Sequence, residues 1–222
     1  MSLFAIADTH LSFGTNKPMD SFEGWQNYTQ RLQKNWNKLI CENDDVVIAG
    51  DISWAMDFNE LKADFDFIES LNGNKIILKG NHDFWWNTMS KLNKFLTENN
   101  YKTIRFLYNN SFVCGSYSVC GSRGWYFDIE NEKDERVLLR ELGRIERSLQ
   151  SAEKDNKIVF LHYPPVTQNS KCTQIIDLLE KYGIKKCYFG HLHGDAAKYA
   201  FEGKENGIDF KLISCDRLKF TP

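Results

Sequence analysis

The strongest constraint on the fold of this chain is an alternation of two patterns. Apolar runs of four or five residues, too short for helices, are each stopped by polar residues, and segments with apolar side chains every three or four positions lie between them. Leu3 to Ala7 stops at Asp8, Val46-Val47-Ile48-Ala49 at Gly50-Asp51, and Lys75-Ile76-Ile77-Leu78 just before Gly80-Asn81. Between these runs, residues 25–41 place Tyr28, Leu32, Asn35/Trp36 and Leu39 on one helical stripe, and Phe58, Leu61, Phe65 and Ile68 form a second. A third helix is predicted from about Trp85 to Asn99. A β-α-β-α-β order implies right-handed crossovers and therefore a parallel sheet. The same alternation returns with Ile158-Val159-Phe160-Leu161, a helix near 172–182 and a strand from Lys186 to Phe189.

The remaining segments read differently. Residues 103–122 hold short β-prone runs broken by Asn109-Asn110 and Gly115-Ser116, which suits antiparallel strands or hairpins. Residues 133–155 predict a charged helix over the stripe Leu138, Leu142, Ile145, Leu149 and Ala152. The tail from Ala196 to Phe220 reads as two or three antiparallel strands with a turn at Gly203 to Gly207. With no internal repeat, linker or low-complexity segment, residues 1–222 read as one mixed α/β layered domain.

Composition narrows the function classes. Hydrophobic residues at 42% and charged residues at 26% exclude a disordered or collagenous chain. A net charge of −2 gives no global basic field, which argues against a nucleic-acid partner. No stretch approaches the roughly 20 apolar residues that cross a bilayer, and the first residues lack a basic leader, so no membrane partner and a cytoplasmic location are expected. The six cysteines include no CxxC pair. Cys41, Cys187 and Cys215 fall in apolar stretches where a reduced thiol packs as a small hydrophobe, and Cys114 and Cys120 could meet across a hairpin.

The chemistry collects where the strands end. The polar tips are Asp8-Thr9-His10, Gly50-Asp51, Gly80-Asn81-His82-Asp83, His162 and Gly190-His191-Leu192-His193. All five histidines of the chain lie in these blocks. In an open α/β sheet the carboxyl ends of parallel strands share one edge, where ligands bind. Residues two apart in extended chain point the same way, so Asp8 with His10, and His191 with His193, can each offer two donors to one ion. A lone histidine is ordinarily structural; five at five strand ends are not explained that way. Asp8 and Asp51 follow apolar strands, where a buried carboxylate needs a compensating cation.

Taken in order, Asp-x-His, Gly-Asp, Gly-Asn-His-Asp, His and Gly-His-x-His resemble the calcineurin-like metallophosphoesterases, over residues 8 to 193. The resemblance implies a four-layer α/β/β/α sandwich with two mixed β-sheets and a dinuclear metal site. One ion would be held by Asp8, His10, Asp51 and His193, the other by Asp51, Asn81, His162 and His191, with Asp51 bridging. His82 would be the catalytic histidine that assists the leaving group while an activated water attacks phosphorus in line, and Asp83 would orient it. Asp83 could instead cap the helix that follows. A nitrogen and oxygen donor set without thiolate suits Mn, Fe, Zn, Co or Ni, with Mn or Fe favoured, over Ca. Two dications and two carboxylates leave +2, which attracts a phosphate anion.

The implied activity is metal-dependent hydrolysis of a small-molecule phosphoester. Alternatives are a cyclic-nucleotide or other phosphodiesterase using the same site, and a catalytically silent, metal-stabilised scaffold. Arg123, in Gly121-Ser122-Arg123-Gly124-Trp125, could reach a substrate phosphate or merely pair on the surface. Trp54, Trp85, Trp86 and Tyr163 stand close to the proposed ligands in sequence, as a ring platform, with Trp54 foremost, or as packing. After Gly50-Asp51 come Ile52, Ser53, Trp54 and Ala55, without the Asp-Arg-Gly of the serine/threonine phosphatases. Trp54 also stands where purple acid phosphatases carry a tyrosine ligand, and Lys79-Gly80 where an Arg-Gly is common. The substrate and the oligomeric state are not encoded in any motif.

Overall fold

A computed structural model describes residues 1–125 and 132–222. Its elements are β1 (Leu3–Ile6), α1 (Tyr28–Leu39), β2 (Asp45–Ala49), α2 (Phe58–Ser70), β3 (Asn74–Leu78), α3 (Met89–Glu98), β4 (Ile104–Phe106), β5 (Phe112–Cys114), β6 (Tyr117–Ser122), α4 (Glu132–Gln150), β7 (Lys157–Leu161), α5 (Thr173–Lys181), β8 (Lys186–Phe189), β9 (Gly203–Glu205) and β10 (Ile208–Leu212). Among the described residues these strands make a four-stranded sheet, β1-β2-β3-β4, and a six-stranded sheet, β5-β6-β7-β8-β10-β9. The first sheet is parallel throughout, where two mixed sheets were expected. The second is mixed, with β5 and β9 antiparallel at its edges and parallel pairing from β6 to β10.

Strand parity builds three apolar layers from these two sheets. In β2, Val46 and Ile48 face α1 to α3 together with Trp36, Phe65 and Trp85, while Val47 and Ala49 face the other sheet. There they share a layer with Ile76, Leu78, Val119, Ile158 and Phe160. The remaining side of the second sheet, with Val159, Leu161 and Phe189, packs on Ile145 and Leu149 of α4 and Ile175 and Leu179 of α5. A strand covered on both faces has no polar side to show, which is why β2, β3 and β7 read as continuous apolar runs. The result is the expected four-layer α/β/β/α order.

Several local expectations are corrected. Residues 104–106 extend the first sheet in parallel beside β3, because the chain reaches them through the crossover helix α3. Only β5 and β6 form the hairpin, and it turns at Gly115-Ser116. Its register sets Cys114 against Tyr117, so Cys114 and Cys120 are not opposite one another, and all six cysteines are free. Cys41 is exposed instead of packed. Leu39 is likewise exposed, and Ile40 is buried in its place. α3 begins only at Met89, where the Thr88 hydroxyl accepts from the Lys91 amide, and α4 stops at Gln150. In the tail, residues 194–199 form a 3-10 turn, and only β9 and β10 are strands, turning at Asn206-Gly207.

The sheets are joined where the site lies. Past β1, the Ala7 amide donates to the Ile213 carbonyl at 2.8 Å and the Cys215 amide donates to Ala7 O at 2.9 Å. That junction brings the carboxyl ends of β1, β2, β3, β7 and β8 to one edge. No helix among the described residues is long and apolar enough to cross a membrane.

Candidate metal centre

The backbone at this edge is strained in a telling place. Asp8, His10, Asp51 and His191 all have positive φ, between 42° and 71°, a conformation non-glycine residues adopt at a cost. Each lies just past a strand end, where the left-handed kink turns the chain out of the sheet. Gly80 packs so closely on Asp51 that a Cβ there would lie 2.1 Å from Asp51 Oδ1. Gly50 has φ of +88° as well as tight packing, and a Cβ on Gly190 would meet Ala7 and Asp8 within 2.7 Å.

Seven side chains expected as ligands converge there. Asp8, His10, Asp51 and His162 form a buried floor, and Asn81, His191 and His193 are half-buried around it. Donor atoms of Asp8, His10 and Asp51 lie within 4.8 Å of one another, as do those of Asp51, His162 and His191. Asp51 belongs to both groups. His193 Nε2 stands 3.2 Å from His10 Nε2, and Asn81 Oδ1 stands 2.7 Å from His162 Nε2.

The contacts within this cluster suit bound cations. Burial holds His162 down to about 3, so its ring is neutral and carries one N–H. Yet its Nδ1 lies 3.1 Å from Ala49 O and its Nε2 lies 2.7 Å from Asn81 Oδ1, and both oxygens are acceptors. One proton cannot serve two acceptors at opposite ends of the ring. If Nδ1–H donates to Ala49 O, the Nε2 lone pair is left for a metal ion or, with the Asn81 amide turned over, for its N–H. His10 repeats the pattern: Nε2 meets another imidazole nitrogen, and buried Nδ1 has no hydrogen-bond partner. Burial, then repulsion from His193 and the other rings, holds His10 well below its usual range, and burial takes His191 down to about 4. Asp8 is pushed well up by burial and by Asp51, and Asp51 is raised by burial. Neutral imidazoles beside carboxylates that lack charge compensation are what a bound cation would relieve.

The surrounding shell fixes these side chains in place. Asp8 Oδ2 accepts from Ser214 Oγ at 2.7 Å and from the His191 amide at 2.9 Å. Tyr28 Oη donates to His10 O at 2.9 Å, and Trp54 stacks on the His10 ring at 4.8 Å. Ser214 was not foreseen from the sequence. Its signal was the same as the others', a polar residue directly after an apolar strand run, here Ile213-Ser214-Cys215.

Asp83 occupies a different position from the one expected. Its carboxylate accepts from the amides of Gly80 (2.7 Å), Ile52 (2.9 Å), Asp51 (3.0 Å) and, at 3.4 Å, Ser53. Its acceptors are therefore spent on backbone, neither orienting the His82 ring nor capping a helix. It stitches the loop carrying Asp51 to the loop carrying Asn81 and His82. Burial and Asp51 push it up to about 7, against the pull of those amides.

His82 sits at the mouth. Its amide donates to Asp51 Oδ1 at 2.8 Å, its ring lies 4.4 Å from Trp54, and its buried Nδ1 has no partner. Burial lowers its pKa, opposed by Asp51. The ring lines a pocket of about 460 Å³ with Met19, Phe22, Trp25, Trp54 and His193, and with Glu23 and Asp195 among its other walls. Arg123 does not line that pocket; its guanidinium lies 4.5 Å from the Trp125 ring centroid and 5.6 Å from that of Tyr163. Trp85 is buried core, whereas Trp86 is half-buried.

A sequence model of the calcineurin-like phosphoesterases matches residues 1–195. The chain belongs to the calcineurin-like phosphoesterase family. Membership in that family supports a metal-dependent hydrolase of phosphoesters, and the Asp and His groups described above are able to hold metal. Among curated proteins, the uncharacterized protein MJ1445 of Methanocaldococcus jannaschii is 30% identical over 86 residues, or 36% of this chain and 46% of the relative. The match thus spans less than half of the relative's length. Among solved structures, the protein of unknown function AQ665 from Aquifex aeolicus aligns over 100% of this chain and 95% of its own, with TM-score 0.52 and 16% identity. The phosphopantetheinyl hydrolase PptH from Mycobacterium tuberculosis aligns over 96% of this chain and 88% of its own, with TM-score 0.56 and 14% identity. At those identities the likeness is one of fold.

Proposed function

We propose that this phosphoesterase hydrolyses a small-molecule phosphoester with two divalent ions, Mn or Fe foremost, that share Asp51. The carrying observation is that two compact donor groups have Asp51 in common. Asp8, His10 and His193 complete one ion's shell, and Asn81, His162 and His191 complete the other's. When bound, such ions polarise phosphoryl oxygens and acidify a water for attack on phosphorus.

The protein's own part follows from placement. The Ala49 carbonyl fixes the His162 tautomer, and Ser214 and the His191 amide hold the Asp8 carboxylate in register. His82 stands beside the ligands without being committed to another side chain, so its ring is free to carry a proton to the leaving oxygen. That oxygen would then lie toward the 460 Å³ pocket, whose aromatic walls of Phe22, Trp25 and Trp54 suit a leaving group with apolar surface.

The test is His82→Ala assayed with p-nitrophenyl phosphate and its bis-ester. Turnover is expected to fall at least a hundredfold while metal content, measured by elemental analysis, stays at the wild-type level. Chelation is expected to abolish activity and Mn²⁺ to restore it. Wild-type turnover in the variant would remove His82 from the mechanism, and full activity in metal-free protein would overturn the metal reading. The ratio of the two nitrophenyl substrates separates monoesterase from diesterase.

A further inference from the structure

Separate from the His82 pocket, with no wall residue in common, lies a smaller one of about 220 Å³. Its walls include Lys79, Arg123 and Arg144 beside the rings of Trp86, Tyr108 and Trp125. That volume is below the usual range for a whole ligand, so it fits one group of a larger molecule. Its charge is lopsided. Glu141, the carboxylate in its wall, is occupied by the Ser122 hydroxyl, by the Gly124 amide at 2.8 Å and by Arg144 Nη1 at 2.8 Å. Asp83, the acidic group that acts on Lys79, is engaged by its backbone amides. Among the described residues no carboxylate stands within ion-pair distance of Lys79 or Arg123, and buried Arg123 Nε has no hydrogen-bond partner. Two half-buried cations left facing each other across a cavity cost energy unless an anion joins them.

No proposed ligand lines the pocket, but its residues abut the metal centre. Arg123 O accepts from the amides of His162 (3.1 Å) and Tyr163 (2.9 Å), and the Tyr163 ring packs 4.3 Å from that of His191. Lys79 precedes Asn81 by two residues. A group held between Lys79 and Arg123 would therefore belong to a molecule whose phosphoester lies at the metals.

We propose that this pocket is a subsite for a second anionic group, a phosphate or a carboxylate, and that the substrate class is a phosphoester carrying a further negative charge away from the scissile phosphorus. The proposal rests on the phosphoester reading for its substrate and on the pocket alone for anion binding, and two measurements separate these.

In the first, pyrophosphate is titrated into EDTA-treated full-length protein and followed by tryptophan fluorescence, since Trp86 and Trp125 line the pocket. Saturable binding is expected, at least tenfold weaker in Lys79→Gln and in Arg123→Gln, and restored to within threefold by Lys79→Arg. Absence of binding, or equal binding by wild type and both Gln variants, would overturn the subsite.

In the second, the Mn²⁺-loaded enzyme is given adenosine 3′,5′-bisphosphate against adenosine 5′-monophosphate, and 4-carboxyphenyl phosphate against phenyl phosphate. A preference of at least tenfold in kcat/KM in the first pair assigns a phosphate to the subsite, and in the second pair a carboxylate. Either preference is expected to shrink below twofold in Lys79→Gln. No preference in either pair, with turnover intact, overturns the substrate class. Retained pyrophosphate binding with no turnover of any ester leaves the subsite standing and refutes the hydrolase.

Discussion

Asp83 is the residue whose removal should reveal how the site is held. Substitution by Asn keeps its size and removes one acceptor oxygen. In the structure Oδ2 receives the Gly80 and Asp51 amides and Oδ1 receives those of Ile52 and Ser53. An Asn oxygen can serve one of these pairs, and its amino group then faces two N–H donors that it cannot satisfy. A buried donor left unpaired costs about 1–3 kcal/mol, so two of them predict a loss of about 2–6 kcal/mol. That is a large share of the roughly 5–15 kcal/mol that holds a domain folded. Asp83→Ala, which removes both acceptors, should cost at least as much. The assay is urea unfolding of metal-free protein near pH 4, below the value of about 7 to which burial raises this carboxyl, because at higher pH the cost of ionising the buried wild-type group, which Asn escapes, would offset the loss. Because Asp51 and Asn81 lie on the two stitched loops, Mn²⁺ affinity should also drop at least tenfold. An Asp83→Asn protein within about 1 kcal/mol of wild type would refute the stitching argument.

Two further perturbations follow from the same geometry. Asp64 is buried on α2, accepting from Ser53 Oγ and from the Phe13 amide at 2.7 Å, and burial raises it from 3.8 to about 6. The folded state then holds the proton more tightly than the unfolded one, so stability should fall as pH rises from about 3.8 to about 6, by about 3 kcal/mol for this group. Asp64→Asn should flatten urea-derived stability over that window relative to wild type, and parallel curves for the two proteins would contradict the assignment. Gly80→Ala would put a Cβ 2.1 Å from Asp51 Oδ1 and 2.2 Å from its amide nitrogen. Overpacking of that kind typically costs about 1–3 kcal/mol, and the displaced Asp51 should cut bound metal severely, so a purified variant with wild-type metal content would count against the packing argument.

The layered α/β order and the gathering of polar residues at one sheet edge were legible in the sequence because both rest on local signals. A strand buried on two faces must be apolar along its length, as Val46 to Ala49 is, and a polar residue just past it, as Asp51 is, marks where the apolar run stops. Parallel strands put such residues at one edge whatever the details of packing, so Asp8, Asp51, Asn81, His162 and His191 group together from the sequence alone. What required the folded chain were contacts between segments remote in sequence. The partners of Asp83 are amides on another loop, Ser214 reaches Asp8 across 206 positions, and β4 joins the first sheet only because α3 returns it there. The pocket between Lys79, Arg123 and Arg144 likewise forms where the two sheets meet. Periodicity records which side of its own element a residue faces. It carries no information about which other element will face it, and that pairing is decided by the way the two sheets close on each other.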